Sequence, residues 1–211
     1  MSVITSRLGA PLLLAAIAPL LLGAQRSAES MLAGEPPELA QRLQDQKVLV
    51  LEDVGGESAE SFIVAYVVFE RSRESVLSLL RQTERQAEYR TELDESKTIE
   101  HTPQGQIDEQ RLRIMFTDFV YRLHYREDPE TGRLEWKLDP DFDNDLARFE
   151  GFWDLMAYES EPNRTLARFG SNVDVGSMVP SFLQKGLSRN SVIRYLKNCR
   201  LWIDSNGEWR P

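Results

Sequence analysis

The sequence has 211 residues, 41% hydrophobic and 28% charged, with a formal net charge of −9 and a pI near 4.9. Ordinary glycine, proline and aromatic usage excludes collagen, coiled coil and wholesale disorder, and a mean hydropathy of −0.41 excludes a multi-span membrane protein. The acidic balance argues against a nucleic-acid partner, whose phosphates need a dense positive field, and one cysteine with two histidines leaves neither an intrachain disulfide nor a usual zinc site.

Residues 1–24 carry Arg7 as their only charge, an apolar run from Leu8 to Leu22, and a small-residue end at Gly23-Ala24. That is the pattern of a secretory signal peptide. The run is short for a bilayer span and holds Pro11 and Pro19, and no cysteine follows it to carry a lipoprotein anchor. The expectation is cleavage near Gln25, a mature net charge of −10, and a periplasmic or secreted protein; the alternative is an uncleaved anchor. Residues 25–46, with Gly34-Glu35-Pro36-Pro37 and a polar stretch after them, read as a linker with one short surface helix opened by Pro37. The domain proper is expected over 47–211.

Strand signals begin at Val48-Leu49-Val50-Leu51. Ser61 to Phe69 is apolar on both parities: Phe62, Val64, Tyr66 and Val68 against Ile63, Ala65, Val67 and Phe69. Such a strand is covered on both faces. Val76, Leu79, Leu80 and Thr83 then recur at helical spacing, with Ser72 or Ser75 as cap. From Leu93 onward the pattern is a meander. Leu93–His101 and Ile107–Met115 flank a Pro-Gln-Gly turn; Phe119–Glu127 alternates; Leu134, Trp136 and Leu138 follow; Gly151–Glu159 and Arg164–Val175 flank Glu161-Pro162-Asn163. Hairpin spacings imply an antiparallel sheet. Phe182, Leu183, Leu187, Ile193, Leu196 and Ile203 finally form a long helical stripe, which has only the concave face of the sheet to bury itself against.

This order resembles the helix-grip fold of the START-like superfamily (lipid-transfer START domains, coenzyme Q-binding proteins, polyketide cyclases) over about residues 58–203. Thr117-Asp118-Phe119-Val120 is similar to the segment that opens a central START strand, and Gly151-Phe152-Trp153-Asp154-Leu155 is similar to the Gly-x-Trp-x-Leu strand. Arg164-Thr165-Leu166, Asp174 and Val179-Pro180 resemble the last strand and the turn into the C-terminal helix. The resemblance implies an α+β fold, with a curved antiparallel sheet wrapped around a long C-terminal helix. Two departures matter. Thr117 stands where the family segment has arginine, and Leu123 stands where some lipid-binding relatives place a cavity arginine. A mostly apolar ligand is therefore expected, rather than one with a charged head.

Independently of the family, a sheet gripped by a helix either fills its interior or leaves room for a ligand. Candidate wall residues are Phe119, Tyr121 and Leu123 on one strand face, Trp136 and Trp153 on later strands, and Met178, Phe182, Leu183 and Leu187 on the helix and its entry loop. Gly176 and Gly186 flank that entry, where adaptable Met178 suits a gate. The solid core remains the competing reading.

Other chemistry is thin. No nucleophile elbow, phosphate loop or dinucleotide fingerprint occurs. His124 alternates with Arg122 and Arg126 and is expected to face solvent, and Cys199 is expected to be a packing thiol. Asp139, Asp141, Asp143 and Glu150 fit positions of the twelve-residue calcium loop, but strands flank them in place of helices, and a solvated acidic loop is preferred. The sequence therefore points to a monomeric lipid-binding or lipid-transfer protein. It would hold a sterol, polycyclic isoprenoid or fatty lipid, without cofactor, and touch membranes transiently. A cyclase or aromatase on the same fold, and a module that binds a partner protein, are the alternatives.

Overall fold

The computed structural model describes residues 27–51, 63–114, 116–128, 130–176 and 189–211. Two helices come first, α1 (Ala28–Leu32) and α2 (Pro37–Gln46), then strands β1 (Val48–Val50) and β2 (Ile63–Phe69) and helix α3 (Arg73–Leu80). After a 3-10 turn at Thr83–Glu88 come β3 (Leu93–Thr102), β4 (Gly105–Ile114), β5 (Thr117–Asp128), β6 (Arg133–Leu138), β7 (Arg148–Ala157) and β8 (Thr165–Asp174). Helix α4 (Arg189–Asp204) follows. No helix among the described residues is long and apolar enough to cross a membrane.

The strands form one eight-stranded sheet in the order β1-β2-β8-β7-β6-β5-β4-β3. Every neighbouring pair is antiparallel, as the hairpin spacings require. The meander β3 to β8 is sequential, and β8 then pairs back with β2: Ile63 lies opposite Ser171 and Phe69 opposite Thr165.

Alternation assigns the faces. Val48, Val50, Ala65, Val67, Phe69, Phe119, Tyr121, Leu123, Leu155, Ala167 and Phe169 are buried in one cluster with Leu196, Cys199, Trp202 and Ile203 of α4. That is the inner face, and it spans the sheet from β1 to β5. The C-terminal half of α4 is locked there. The Trp202 ring lies 4.8 Å from Tyr89 and its Nε1 donates to Glu88 at 2.9 Å, while Asp204 Oδ1 accepts from the Glu70 backbone at 2.9 Å.

The opposite face of β2 carries Tyr66 and Val68, buried with Leu49, Met156 and Leu166 beneath Ala28, Leu39 and Leu43. The apolar-on-both-sides pattern of β2 is thus explained, since α4 covers one face and the first two helices cover the other. This differs from the expected linker. The segment forms two helices whose buried residues close the outer face of the β1-β2-β8-β7 end, and Tyr66 Oη donates to Glu35 at 2.7 Å across that contact. Leu39 and Leu43, four residues apart on α2, dock it. Elsewhere the local signals act as their chemistry dictates. Pro37 opens α2, and Ser72 Oγ accepts from Ser75 N at 3.4 Å to cap α3.

Candidate functional site

The N-terminal half of α4 is less buried than its C-terminal half: Val192, Ile193 and Tyr195 are only partly buried against the core. Between Ser191, Val192, Arg194 and Tyr195 of α4 and the inner face lies a cavity of about 450 Å³. Its walls come from β4 (Leu112, Ile114), β6 (Leu134, Trp136), β7 (Phe149, Trp153) and β8 (Phe169, Val173), with Ile63 and Leu80 completing the apolar part. The aromatic floor is a packed set of rings: Trp153 and Phe169 lie 4.8 Å apart, Trp136 and Phe169 5.9 Å, and Phe169 and Tyr195 of the roof 5.8 Å. Gly151 makes this floor possible. A Cβ there would stand 2.2 Å from Trp136 Cζ2 and 2.5 Å from the Gly170 carbonyl oxygen, so only glycine lets the indole lie against β7.

One end of the described lining carries half-exposed charges. Arg113 pairs with Asp94 at 2.9 Å and Asp118 at 2.7 Å, and Arg194 pairs with Glu92. Burial would raise the Glu92 carboxyl, but the Arg194 bond overrides it and holds it below its usual range. At the tip of the β4–β5 hairpin, two residues beyond Ile114 of the wall, Phe116 is 98% exposed.

The other end is polar and enclosed. Arg90, just before β3, donates from Nη1 to Gln86 Oε1 at 3.1 Å and to Gln110 Oε1 at 3.4 Å. Its guanidinium lies 5.5 Å from the Tyr195 ring centre. Tyr121 Oη donates to Gln110 Oε1 at 3.0 Å, while Tyr125 Oη accepts from Gln86 Nε2 at 3.1 Å and Gln110 Nε2 at 3.3 Å. Arg90 is partly buried and lines the cavity with Gln86, Tyr89 and Tyr125. Burial works against its charge, but the hydroxyls of Tyr121, Tyr195, Tyr125 and Tyr89 outweigh that, so the guanidinium stays charged. Burial also pushes the Tyr125 and Tyr121 phenols up, and both are neutral donors at any ordinary pH.

Of the sequence candidates, Trp136 and Trp153 stand on the cavity wall. Phe119, Tyr121 and Leu123 share the inner face and are buried, but none is on the wall, and the β5 residue that reaches it is Tyr125. Leu123 and Phe119 are core packing, and Tyr121 acts through Gln110. Met178, Phe182, Leu183 and Leu187, with Gly186, lie outside the described residues. Gly176 is described: its φ of 77° lies in the left-handed region and its N–H donates to Asp174 Oδ1 at 2.8 Å, which turns the chain off the end of β8. Leu123 brings no charge to the inner face, and Arg90 brings one to the cavity lining from a different element. Sequence reasoning also passed over Gln86, Gln110, Tyr89 and Tyr195.

The acidic loop does not assemble a metal cage: among the described residues no three such ligands come together. Asp139 Oδ1 accepts from Asp141 N at 3.0 Å and lies 3.1 Å from His124 Nε2. Asn144 Nδ2 donates to the Asp139 and Phe142 carbonyls, while Glu150 sits in β7 opposite Lys137 and Asn172. The loop is bound up by its own polar groups. Cys199 is fully buried, and burial pushes its thiol up.

No family model matches the sequence, and no curated protein matches it. Solved structures do. A START superfamily protein from Mycobacterium smegmatis superposes with a TM-score of 0.56 at 16% identity, over 68% of this chain and 97% of that one. A STAR-related lipid transfer protein from Xanthomonas axonopodis gives 0.55 at 15%, over 75% and 99%. The Zhui aromatase/cyclase from Streptomyces sp. R1128 gives 0.55 at 9%, over 68% and 93%. Likeness at such identities is likeness of fold, and the fold is the START-like α+β helix grip.

Proposed function

We propose that the protein is a lipid carrier, which encloses one bulky and largely apolar molecule between the sheet and α4. The observation that carries this reading is the aromatic-walled cavity of about 450 Å³. Its volume falls within the ~300–1,000 Å³ typical of small-molecule sites. Each apolar Å² of ligand removed from water contributes about 25 cal/mol, so a lipid body is held largely by burial against Trp136, Trp153 and Phe169. A lipid transfer protein among the structural neighbours supports the same reading.

The finer points are part of this proposal. The exported, monomeric protein works in the periplasm or outside the cell. It meets a membrane transiently at the cavity mouth, where Phe116 stands free. An exposed aromatic beside a lipid-sized opening is suited to dip among acyl chains while the ligand crosses.

An aromatase/cyclase neighbour keeps the enzyme reading in play, and Arg90 with its tyrosines is where such chemistry would centre. The carrier is preferred because catalysis of that kind needs a base facing the substrate. Among the described wall residues there is no histidine, and the one carboxylate, Glu92, is tied to Arg194 at the mouth.

The test is direct. Protein purified from its native host is extracted with solvent and the extract analysed by mass spectrometry, while the emptied protein is titrated with the neutral dye Nile red. A single co-purifying lipid class and one-to-one dye binding are expected. An extract without lipid, together with no dye binding, rejects the proposal.

A further inference from the structure

An apolar ligand alone gives no reason for a charged arginine at the enclosed end of the cavity. The described groups around Arg90 are neutral: the Gln86 and Gln110 oxygens, the Tyr121, Tyr125 and Tyr89 hydroxyls, and the face of Tyr195. Glu92 is paired with Arg194. Buried Asp108 accepts from Thr98 Oγ1 and Gln106 Nε2 on one oxygen, both at 2.9 Å; its other oxygen has no described partner, but no ion pair joins Asp108 to Arg90 among the described residues. Among the described residues no carboxylate pairs with this enclosed cation, and the cost of enclosing its charge is recovered when an anion arrives to pair with it.

Tyr125 adds a second indication. Its oxygen already accepts from Gln86 and Gln110, and its own proton has no described acceptor, although the ring borders the cavity. A charged fork and a phenol proton therefore border one end of the void, each short of an acceptor. That donor set fits a carboxylate, which takes a guanidinium and a neutral hydroxyl together. A sterol hydroxyl or an ester would leave the guanidinium charge uncompensated.

Building on the carrier reading, we infer that the ligand is an amphipathic carboxylic acid, long-chain or polycyclic, that enters head first. Its carboxylate rests on Arg90 and Tyr125 at the enclosed end. Its apolar body lies along Trp136, Trp153 and Phe169, with its tail toward the mouth between Ile114 and Val192.

The experiment displaces Nile red from the delipidated full-length protein with three matched ligands: oleic acid, methyl oleate and oleyl alcohol. Lithocholic acid and its methyl ester repeat the comparison on a polycyclic body. The acid of a matched set is expected to bind about tenfold more tightly or better, the range of a hydrogen-bonded ion pair. Arg90→Gln should abolish that preference, each ligand being compared within the same variant, and Tyr125→Phe, which keeps the ring, should reduce it several-fold. Equal displacement by acid, ester and alcohol overturns the inference even if Arg90→Gln fails to fold, because that comparison uses only the unaltered protein. A preference for acid that survives Arg90→Gln overturns it too. In both cases the dye still binds and the carrier reading stands; only a protein that binds neither dye nor lipid loses both.

Discussion

Gly151→Ala tests whether the cavity floor is built as described. The added methyl carbon would lie 2.2 Å from Trp136 Cζ2 and 2.5 Å from the Gly170 carbonyl oxygen. Ordinary carbon contacts sit at about 3.5–4.0 Å, so the indole must withdraw by more than ~1 Å. The carbonyl belongs to the β7–β8 ladder, where Gly170 faces Phe152, and cannot withdraw without loss of pairing. Overpacking of this kind costs about 1–3 kcal/mol, even though alanine is the better strand former. For a domain of this size each kcal/mol is worth about 2–4 °C, which gives a fall in Tm of roughly 2–12 °C by calorimetry. The indole's free direction is into the cavity, so Nile red affinity should fall as well, and the near-ultraviolet circular dichroism of the tryptophans should change. A variant with Tm within about 1 °C of the parent, and unaltered dye binding, would refute the claim that this glycine sets the floor.

Four further outcomes follow from the same geometry. Leu43→Ala, at a site only 1% exposed beneath the outer face of the sheet, should cost about 2–5 kcal/mol in urea unfolding, and a cost under ~0.5 would return residues 28–46 to the status of wrapping. All six tyrosines have phenols raised above their ordinary 10.0, Tyr66 being pushed up to about 12 by burial and its bond to Glu35. The folded chain therefore keeps protons that the unfolded chain releases, so stability is intact below pH 10.0 and drains away as pH rises toward about 12; phenolate absorbance that appears reversibly near pH 10 in folded protein contradicts this. Cys199 should resist a thiol reagent until the protein unfolds, and full labelling with native circular dichroism would place it elsewhere. Phe116→Asp should slow ligand extraction from phosphatidylcholine vesicles several-fold without altering Nile red affinity, whereas an unchanged rate would remove Phe116 from membrane contact.

Periodicity made much of the architecture readable. The two apolar parities of β2 announced two coverings, and hairpin spacing gave the antiparallel meander because turn residues mark chain reversals locally. What covers the outer face was harder to see. Among the polar residues of α2, only Leu39 and Leu43 signal docking, and two leucines four apart are easily taken for a surface helix. At the site, alternation correctly placed Phe119, Tyr121 and Leu123 on the inner face. It cannot say which rung of a strand borders a void, because that depends on how far the roofing helix stands off. Arg90 was the least legible. It ends a run, Thr83 to Arg90, with no hydrophobic period, where an arginine is ordinarily solvated. Its enclosure arises from Tyr195 and Gln110, residues of α4 and β4 that no local pattern links to it.

The return of β8 to β2 also shapes how the chain reaches this fold. β3 through β8 pair each with the next, so each hairpin closes a short loop and the meander assembles quickly. The pairings Phe69 with Thr165 and Ile63 with Ser171 join residues roughly a hundred positions apart, and such closures are slow. Until then Ile-Val-Ala-Tyr-Val-Val-Phe, seven residues without a charge or proline, has neither its ladder partner nor α4 over its inner face. A segment of that composition with open edges is a seed for intermolecular strand pairing. β1 and the two leading helices emerge before it, and they shield one edge and one face from the start. The outer-face helices thus act during synthesis as well as in the finished molecule, as a built-in guard for the strand most prone to aggregate.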